Sequence, residues 1–431
     1  MAGIPQTANS ITLVTGQEAP WMVLPGEPDS AAQVALQQHL ENLAGKGFSA
    51  SVQGVWLQSG PTLLASNQGT TPFPAASLTK VATSLVALHT WGANHQFETL
   101  VSATGPIQNG VLQGDLVIQG SGDPLMVWEE AIALANDLNQ AGVTRVAGNL
   151  VITGNFLMNF EMNPQKAGEL FRQALDAKKW GPEAEAQYAE LPKGTPRPQI
   201  TIAGTVQAVP HGAAVMPKQM LLLRHRSLPM SQIVKLMNIY SNNIIAESLA
   251  NSLGGAPMVA QQTALITGVP QAEILLSNGS GLGVENQISP RAVCTMFATL
   301  QRYLQANSLT LADLFPVSGR DKGTIEDRSI PKAAVVKTGT LNDVSTLAGV
   351  VPTRDRGLVW FAILNRGNDL DGLRAQQDSL LQALVRQWGA VASPPVAITP
   401  TAPVHSVLGL VGDDRRNEIV QSAVETNWYR Q

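Results

Sequence analysis

Ser77 and Lys80, in the stretch PFPAASLTKVATSLVALHTWG at 72–92, set a hydroxyl and an amine three residues apart at the head of a small, apolar run. With Pro74 ahead of it and helix-forming residues behind, the run predicts a helix beginning at or near Ser77. There, unpaired backbone N–H groups and the helix macrodipole concentrate positive potential. A serine alkoxide forming at that point is stabilised, and Lys80, one turn on and on the same face, is placed to take its proton. The pair also has a purely structural reading, because serine is a good cap and lysine is common on helices. A second S-x-x-K string, Ser329-Ile330-Pro331-Lys332, cannot form such a pair, since Pro331 and the strand that follows exclude a shared helix face.

Two further strings occur once each. Ser241-Asn242-Asn243 is the single S-x-N of the chain and falls at an expected helix break near Tyr240, where side chains can point into a cleft. Lys337-Thr338-Gly339 is the single K-T-G and follows Ala-Ala-Val-Val on an expected strand, where Gly339 lets a ligand come close to the backbone. A lysine base must be partly neutral, although a free lysine titrates near ~10.4. Lowering it to about 7 or 8 takes roughly 4 kcal/mol, which a second ammonium at ~4 Å could supply at an effective dielectric of about 20. Lys337 is the candidate for that second charge.

These groups need elements to hold them. Residues 48–67 read as a hairpin around Ser59-Gly60-Pro61 that leads into the Ser77 helix. After Trp91-Gly92 the strings GVLQGDLVIQGSGDPLM and VAGNLVITGNF are strand and turn, and 163–198 is a charged segment of helical composition. From about 218 the pattern is α/β again: a long amphipathic region at 230–254, β-rich runs at hairpin spacing from Ala333 to Asn365, and a closing amphipathic helix at 370–389. The expected organisation is a discontinuous catalytic domain (1–90 and 213–390), an inserted, mostly β module (91–212), and a Pro-rich linker with a tail (391–431).

Composition excludes several classes. The 28 basic and 32 acidic residues leave a net charge of −4 with no basic stripe, which argues against nucleic acid as a partner. No apolar run reaches the ~18 residues of a membrane span. The first basic residue is Lys46, so the N-terminal stretch lacks the positive region of a signal peptide; the expectation is a soluble chain, either cytosolic or the mature form of an exported protein. The six histidines form no ligand cluster, so neither a metal nor another cofactor is expected, and Cys294, the single cysteine, reads as a small buried residue in a helix capped by Ser289.

S-x-x-K, S-x-N and K-T-G occur here in the order found in penicillin-binding proteins and β-lactamases. With SNNIIAESL, SNGSGLGVENQISP, FPVSGRDKGTIEDR and VVKTGTLNDVSTLAGVV around them, the chain resembles the low-molecular-mass class C penicillin-binding proteins from about residue 30 to 388. The resemblance implies a penicillin-binding-protein/β-lactamase-like α/β fold (antiparallel sheet flanked by helices) and export to the periplasm or cell wall. It also implies D-Ala-D-Ala carboxypeptidase or endopeptidase activity on peptidoglycan stem peptides, with β-lactams as covalent inhibitors.

By resemblance, Ser77 is the nucleophile, Lys80 the base, and Ser241 the proton relay to the leaving group. Asn243 binds the substrate amide and orients Lys80, Lys337 with Thr338 holds the terminal carboxylate, and the N–H groups of Ser77 and Thr340 form the oxyanion hole. Two departures stand out: the interval from Ser77 to Ser241 is shorter than the family's, and Thr153 occupies the place of an aspartate that holds an amine-bearing side chain of the substrate.

Other readings meet specific obstacles. A class A β-lactamase needs a deacylating glutamate in E-x-x-L-N, which is absent. Tyr240-Ser241-Asn242 fits the Y-x-N of class C β-lactamases and related esterases, but the flanking NIIAESL favours the S-x-N register. LLSNGSGLG lacks the helix and glycine spacing of a dinucleotide site. A wall-binding or sensor protein that keeps the fold without turnover is the remaining alternative.

Overall fold

The computed structural model describes residues 29–210, 218–402 and 410–420 of the 431. Helix α1 (Ser30–Ala44) starts where the Asp29 side chain accepts from the Ala32 N–H at 2.9 Å. The expected hairpin follows as β1 (Gln53–Ser59) and β2 (Thr62–Asn67). A tight 3₁₀ turn, Ala76–Leu78, then feeds α2 (Thr79–Trp91). All of α2 from Thr79 to Leu88 is buried, which is why this helix is small and apolar on every face.

The chain next builds the inserted module. Its elements include β3 (Glu98–Ala103), β4 (Leu116–Ser121), α3 (Trp128–Gln140), β5 (Leu150–Asn155), α4 (Pro164–Ala174), α5 (Pro182–Glu190), β6 (Val206–Ala208) and β7 (Met220–Arg226). Expected as mostly β, the module carries these three helices as well, and its core joins strand residues such as Ile118 and Ile152 to Trp128 of α3 and Phe171 of α4.

After the module come α6 (Met230–Tyr240), α7 (Asn243–Ser252), α8 (Ala256–Thr267) and α9 (Pro290–Ala306). Then come β8 (Val335–Leu341), β9 (Val344–Thr353), β10 (Gly357–Arg366) and α10 (Leu370–Trp388). Among the described residues of the tail is a short strand, β11 (Asn417–Ile419).

The five-stranded sheet is antiparallel throughout, in the order β8-β9-β10-β1-β2. Every residue of β9 is buried, because helices cover both faces of the sheet. Alternation decides which face each side chain joins. Val55, Leu57, Phe361 and Ile363 pack with Leu36 of α1 and Leu380 and Leu384 of α10. Trp56, Trp360, Ala362 and Leu364 join the core of α2 and α6–α9, where Cys294 also lies buried. Each Leu, Ile or Phe side chain so buried contributes about 1.5–3 kcal/mol.

The module's sheet runs β6-β5-β4-β3-β7-β11, parallel through the first three strands and antiparallel beyond. Strand β7 falls within the segment 213–390 that the sequence reading gave to the catalytic domain, yet it pairs with β3 from Met220↔Ala103 to Arg226↔Glu98. The hydrogen-bonded boundary therefore lies between β7 and α6, while positions 213–217 fall outside the described residues. The tail ties the two parts together. Ile398 is buried on the catalytic side, where Gln301 donates to the Ala397 carbonyl at 2.8 Å, and β11 then adds to the edge of the module's sheet. There Arg416 donates to the Arg226 and Leu410 carbonyls at 2.9 and 2.7 Å and pairs with buried Glu130.

Candidate active site

Ser77 sits at the centre of the 3₁₀ turn ahead of α2, and from Phe73 to Leu88 it alone is not buried. The preceding Ala76 has φ of 47°, a left-handed conformation that costs a non-glycine residue free energy and persists only where its surroundings fix it. Two glycines let those surroundings close in. A Cβ on Gly281 (φ 86°) would lie 1.8 Å from the Ala76 oxygen, and one on Gly339 would lie 2.8 Å from the Ser77 nitrogen. Thr346 of β9 adds a hydrogen bond of 3.1 Å to the Ala75 carbonyl.

Lys80 is fully buried, and its Nζ lies 2.9 Å from Ser77 Oγ, 2.8 Å from Asn243 Oδ1 and 2.7 Å from the Ser280 carbonyl oxygen. The last two partners can only accept. A neutral amine has two N–H bonds, and donating both to them turns its lone pair toward the Ser77 hydroxyl. Burial lowers the Lys80 pKa to about 7, against the opposing charge of Glu247. Glu247 follows Asn243 by one turn of α7 and accepts from the Gly279 and Ser280 N–H groups at 3.0 Å each, which fixes the carbonyl that Lys80 reaches.

The break between α6 and α7 is written into Ser-Asn-Asn. Ser241 ends α6 in the left-handed region (φ 53°, ψ 38°), the Asn242 side chain caps α7 by accepting from Ile245 N–H at 3.0 Å, and Asn243 is thereby delivered to Lys80. From β8, Lys337 Nζ donates to Ser241 Oγ at 3.0 Å and to the Thr338 carbonyl at 2.8 Å. Burial, and then the charge of Lys80, push the Lys337 pKa well below the ordinary lysine range. Burial is the largest cause of the lowering on both lysines, and the repulsion between the two ammonium groups adds to it.

Ser77, Ser241, Thr338, Gly339 and Thr340 line one cleft of about 930 Å³, with Thr324 and a face of α10 on the far wall. Lys80 and Lys337 lie buried behind it, with Asn243 at Lys80. All eight residues singled out from the sequence therefore gather at one place. Glu247, Ser280, Thr324 and Arg374 were not singled out. Glu247 left a trace, since it stands four residues after Asn243 in a helical pattern; Ser280 acts through its backbone and leaves none. The S-x-x-K string at Ser329 is not helical, although Ser329 reaches the cleft wall. Thr153 lies buried on β5 opposite Gln119, outside the cleft lining. Among the described residues no helix is long and apolar enough to cross a membrane.

The D-alanyl-D-alanine carboxypeptidase DacB of Haemophilus influenzae is 27% identical over 391 residues, covering 68% of this chain and 80% of the relative. The D-alanyl-D-alanine carboxypeptidase of an Actinomadura species is 26% identical over 458 residues, covering 81% and 84%. Among solved structures, Bd3459, a predatory peptidoglycan endopeptidase of Bdellovibrio bacteriovorus, shares the fold at a TM-score of 0.66 and 24% identity, covering 82% of this chain and 98% of that one. Penicillin binding protein 4 of Haemophilus influenzae does so at a TM-score of 0.63 and 19% identity, covering 84% and 99%. The family model of D-Ala-D-Ala carboxypeptidase 3 (S13) matches residues 32–165 and 196–387, taking in all three motifs. The chain therefore belongs to the D-Ala-D-Ala carboxypeptidase 3 (S13) family, the low-molecular-mass class C penicillin-binding proteins that its motifs resemble.

Proposed function

We propose that this protein hydrolyses D-Ala-D-Ala-type stem peptides of peptidoglycan through an acyl-enzyme on Ser77, as an exported enzyme of the periplasm or cell wall. The observation that carries this reading is the buried Lys80, whose two obligate acceptors leave its lone pair for the serine hydroxyl. Ser77 Oγ attacks the carbonyl carbon of the penultimate D-Ala while its proton passes to Lys80. The oxyanion falls between the N–H groups of Ser77 and Thr340, the latter on the edge strand of the sheet. As the C–N bond breaks, the leaving amine takes the proton of Ser241, and the proton that Lys80 took from Ser77 replaces it, so that Ser241 acts as the relay, held in place by its hydrogen bond from Lys337. Asn243 holds the substrate amide. Water then cleaves the ester and restores Ser77.

β-Lactams enter the same site as acylating inhibitors, because their strained amide presents the same carbonyl and a nearby carboxylate. The test uses defined muropeptides, with and without a cross-link, on the wild type and on Ser77→Ala. Release of D-alanine or cleavage of the cross-link that disappears in the variant supports the proposal. Penicillin labelling of Ser77 without peptide hydrolysis would instead mark a wall sensor that has kept the fold.

A further inference from the structure

Resting on that peptidase reading, we propose that Arg374 of α10 supplies the cation that receives the leaving group's carboxylate, and so determines specificity for a free C-terminal acid. A carboxylate drawn from water into the cleft needs a positive partner or several donors. Lys337, the residue expected to provide the charge, is fully buried and directs Nζ to Ser241 Oγ and to its own strand's Thr338 carbonyl. Lys80 is held by Ser77, Asn243 and Ser280. Arg328 lines the cleft, but its Nε and Nη2 contact both Asp378 oxygens at 2.7–3.2 Å, and Nη2 also reaches Gln377 Oε1 at 3.0 Å.

Arg374 differs from all three. Its Nη2 donates to Thr340 Oγ1 at 3.2 Å, which anchors the guanidinium at the end of β8 next to the nucleophile. Its ionic partner is Asp371, one turn earlier on the same helix at 2.9 Å and 93% exposed. Such a surface pair contributes little and yields readily to a better anion.

The pleat of β8 supports the assignment. Val336 packs in the core under α1 and α10, and Val335 in the core of α2. Thr338 and Thr340 share the face of Val336, so two hydroxyls and the guanidinium flank one position. Of the acidic residues that also line the cleft, Asp378 is paired with Arg328, and Asp371 is the partner that an incoming carboxylate would displace from Arg374.

The experiment compares two acyl-D-alanyl thioesters, one of thioglycolate, whose leaving group bears a carboxylate, and one of ethanethiol, whose leaving group is neutral. Both have activated carbonyls, so acylation does not depend on recognition of the leaving group to be measurable. We expect kcat/KM for the thioglycolate ester to fall about 10- to 100-fold in Arg374→Ala, in line with loss of a charge-assisted hydrogen bond, and that for the ethanethiol ester to stay within about twofold. Arg374→Lys should keep part of the preference. An equal loss on both esters would reduce Arg374 to a structural residue, and no loss on either would overturn the assignment while leaving the peptidase reading intact. Thioester hydrolysis that survives Ser77→Ala would overturn the peptidase reading itself, and this inference with it.

Discussion

Replacing Lys337 by Met separates the two explanations for a neutral Lys80. Bringing that amine from its ordinary 10.5 to about 7 takes roughly 5 kcal/mol of preference for the uncharged form. Removing an ammonium from water costs several kcal/mol even after the protein relaxes, so burial alone can supply this. A neighbouring ammonium at ~4 Å could give a similar amount, about 4 kcal/mol at an effective dielectric of 20, but only while it stays charged. Lys337 is itself fully buried and pushed well below the ordinary lysine range, so the same desolvation weakens it as a source of that charge.

The acylation rate should therefore rise with pH through a midpoint of about 7 in the wild type. In Lys337→Met the midpoint should stay within about half a pH unit, while the plateau falls by roughly 10- to 100-fold because Ser241 loses its donor. The assay is the rate of penicillin adduct formation between pH 5 and 9, quenched in acid and read by intact mass. Removing a charge that had disfavoured the Lys80 ammonium would raise its pKa. A midpoint that climbs by a full pH unit or more would show that Lys337 is charged and tunes Lys80, and would refute the reasoning from burial.

Other outcomes follow from the same geometry. Glu247→Gln removes the charge that opposes the lowering of Lys80 and an acceptor of the Gly279 and Ser280 N–H groups, so the acid limb should move to lower pH and the plateau drop; an unmoved limb would confine Glu247 to shaping the loop. Because the folded state lowers the Lys80 pKa to about 7, the unfolded chain binds the extra proton between about 7 and 10.5, and this residue's contribution to stability rises with pH across that window; Lys80→Met should flatten that part of a denaturation-against-pH curve by up to about 1.4 kcal/mol per pH unit. A Cβ at Gly281 meets the Ala76 oxygen at 1.8 Å, so Gly281→Ala should lower the melting temperature and slow acylation together, and an unchanged acylation rate would mean that the turn does not depend on this contact. The penicillin adduct should last minutes or longer, since no E-x-x-L-N glutamate is present to activate water; rapid return to the unmodified mass with many penicillins hydrolysed would place the chain among β-lactamases.

The proton-transfer groups were legible because each is bound to a local structure with a sequence signature. Ser77 and Lys80 share a helix turn, Ser241-Asn242-Asn243 spells a helix end followed by a cap, and Lys337-Thr338-Gly339 closes an alternating strand. What stayed hidden joins residues far apart in the chain. Ser280 contributes a carbonyl, which any residue type could provide, and Arg374 reaches Thr340 across 34 positions from a helix whose amphipathic pattern already explained it. The boundary at β7 was missed for a related reason: MLLLRHR reads as a strand in either domain, and only its pairing with β3 decides. β11, at three residues, is too short for any period to show.

The two tasks of the site are divided by the pleat of a single strand. Lys337 and Gly339 project from β8 toward α2, where one meets Ser241 and the other leaves just enough room for the Ser77 nitrogen. Thr338 and Thr340 project the opposite way, toward Thr324 and Arg374. The proposed proton transfer thus belongs to the face of the two buried lysines, where desolvation lowers their pKa values, and the proposed anion site to the face of Thr338 and Thr340. A charge needed for binding would be poorly placed among the buried lysines, because the same desolvation that makes them bases makes them weak cations. Turning alternate residues to opposite faces resolves that conflict, and it ties both functions to one register of β8 against β9, from Val335↔Val350 to Leu341↔Val344.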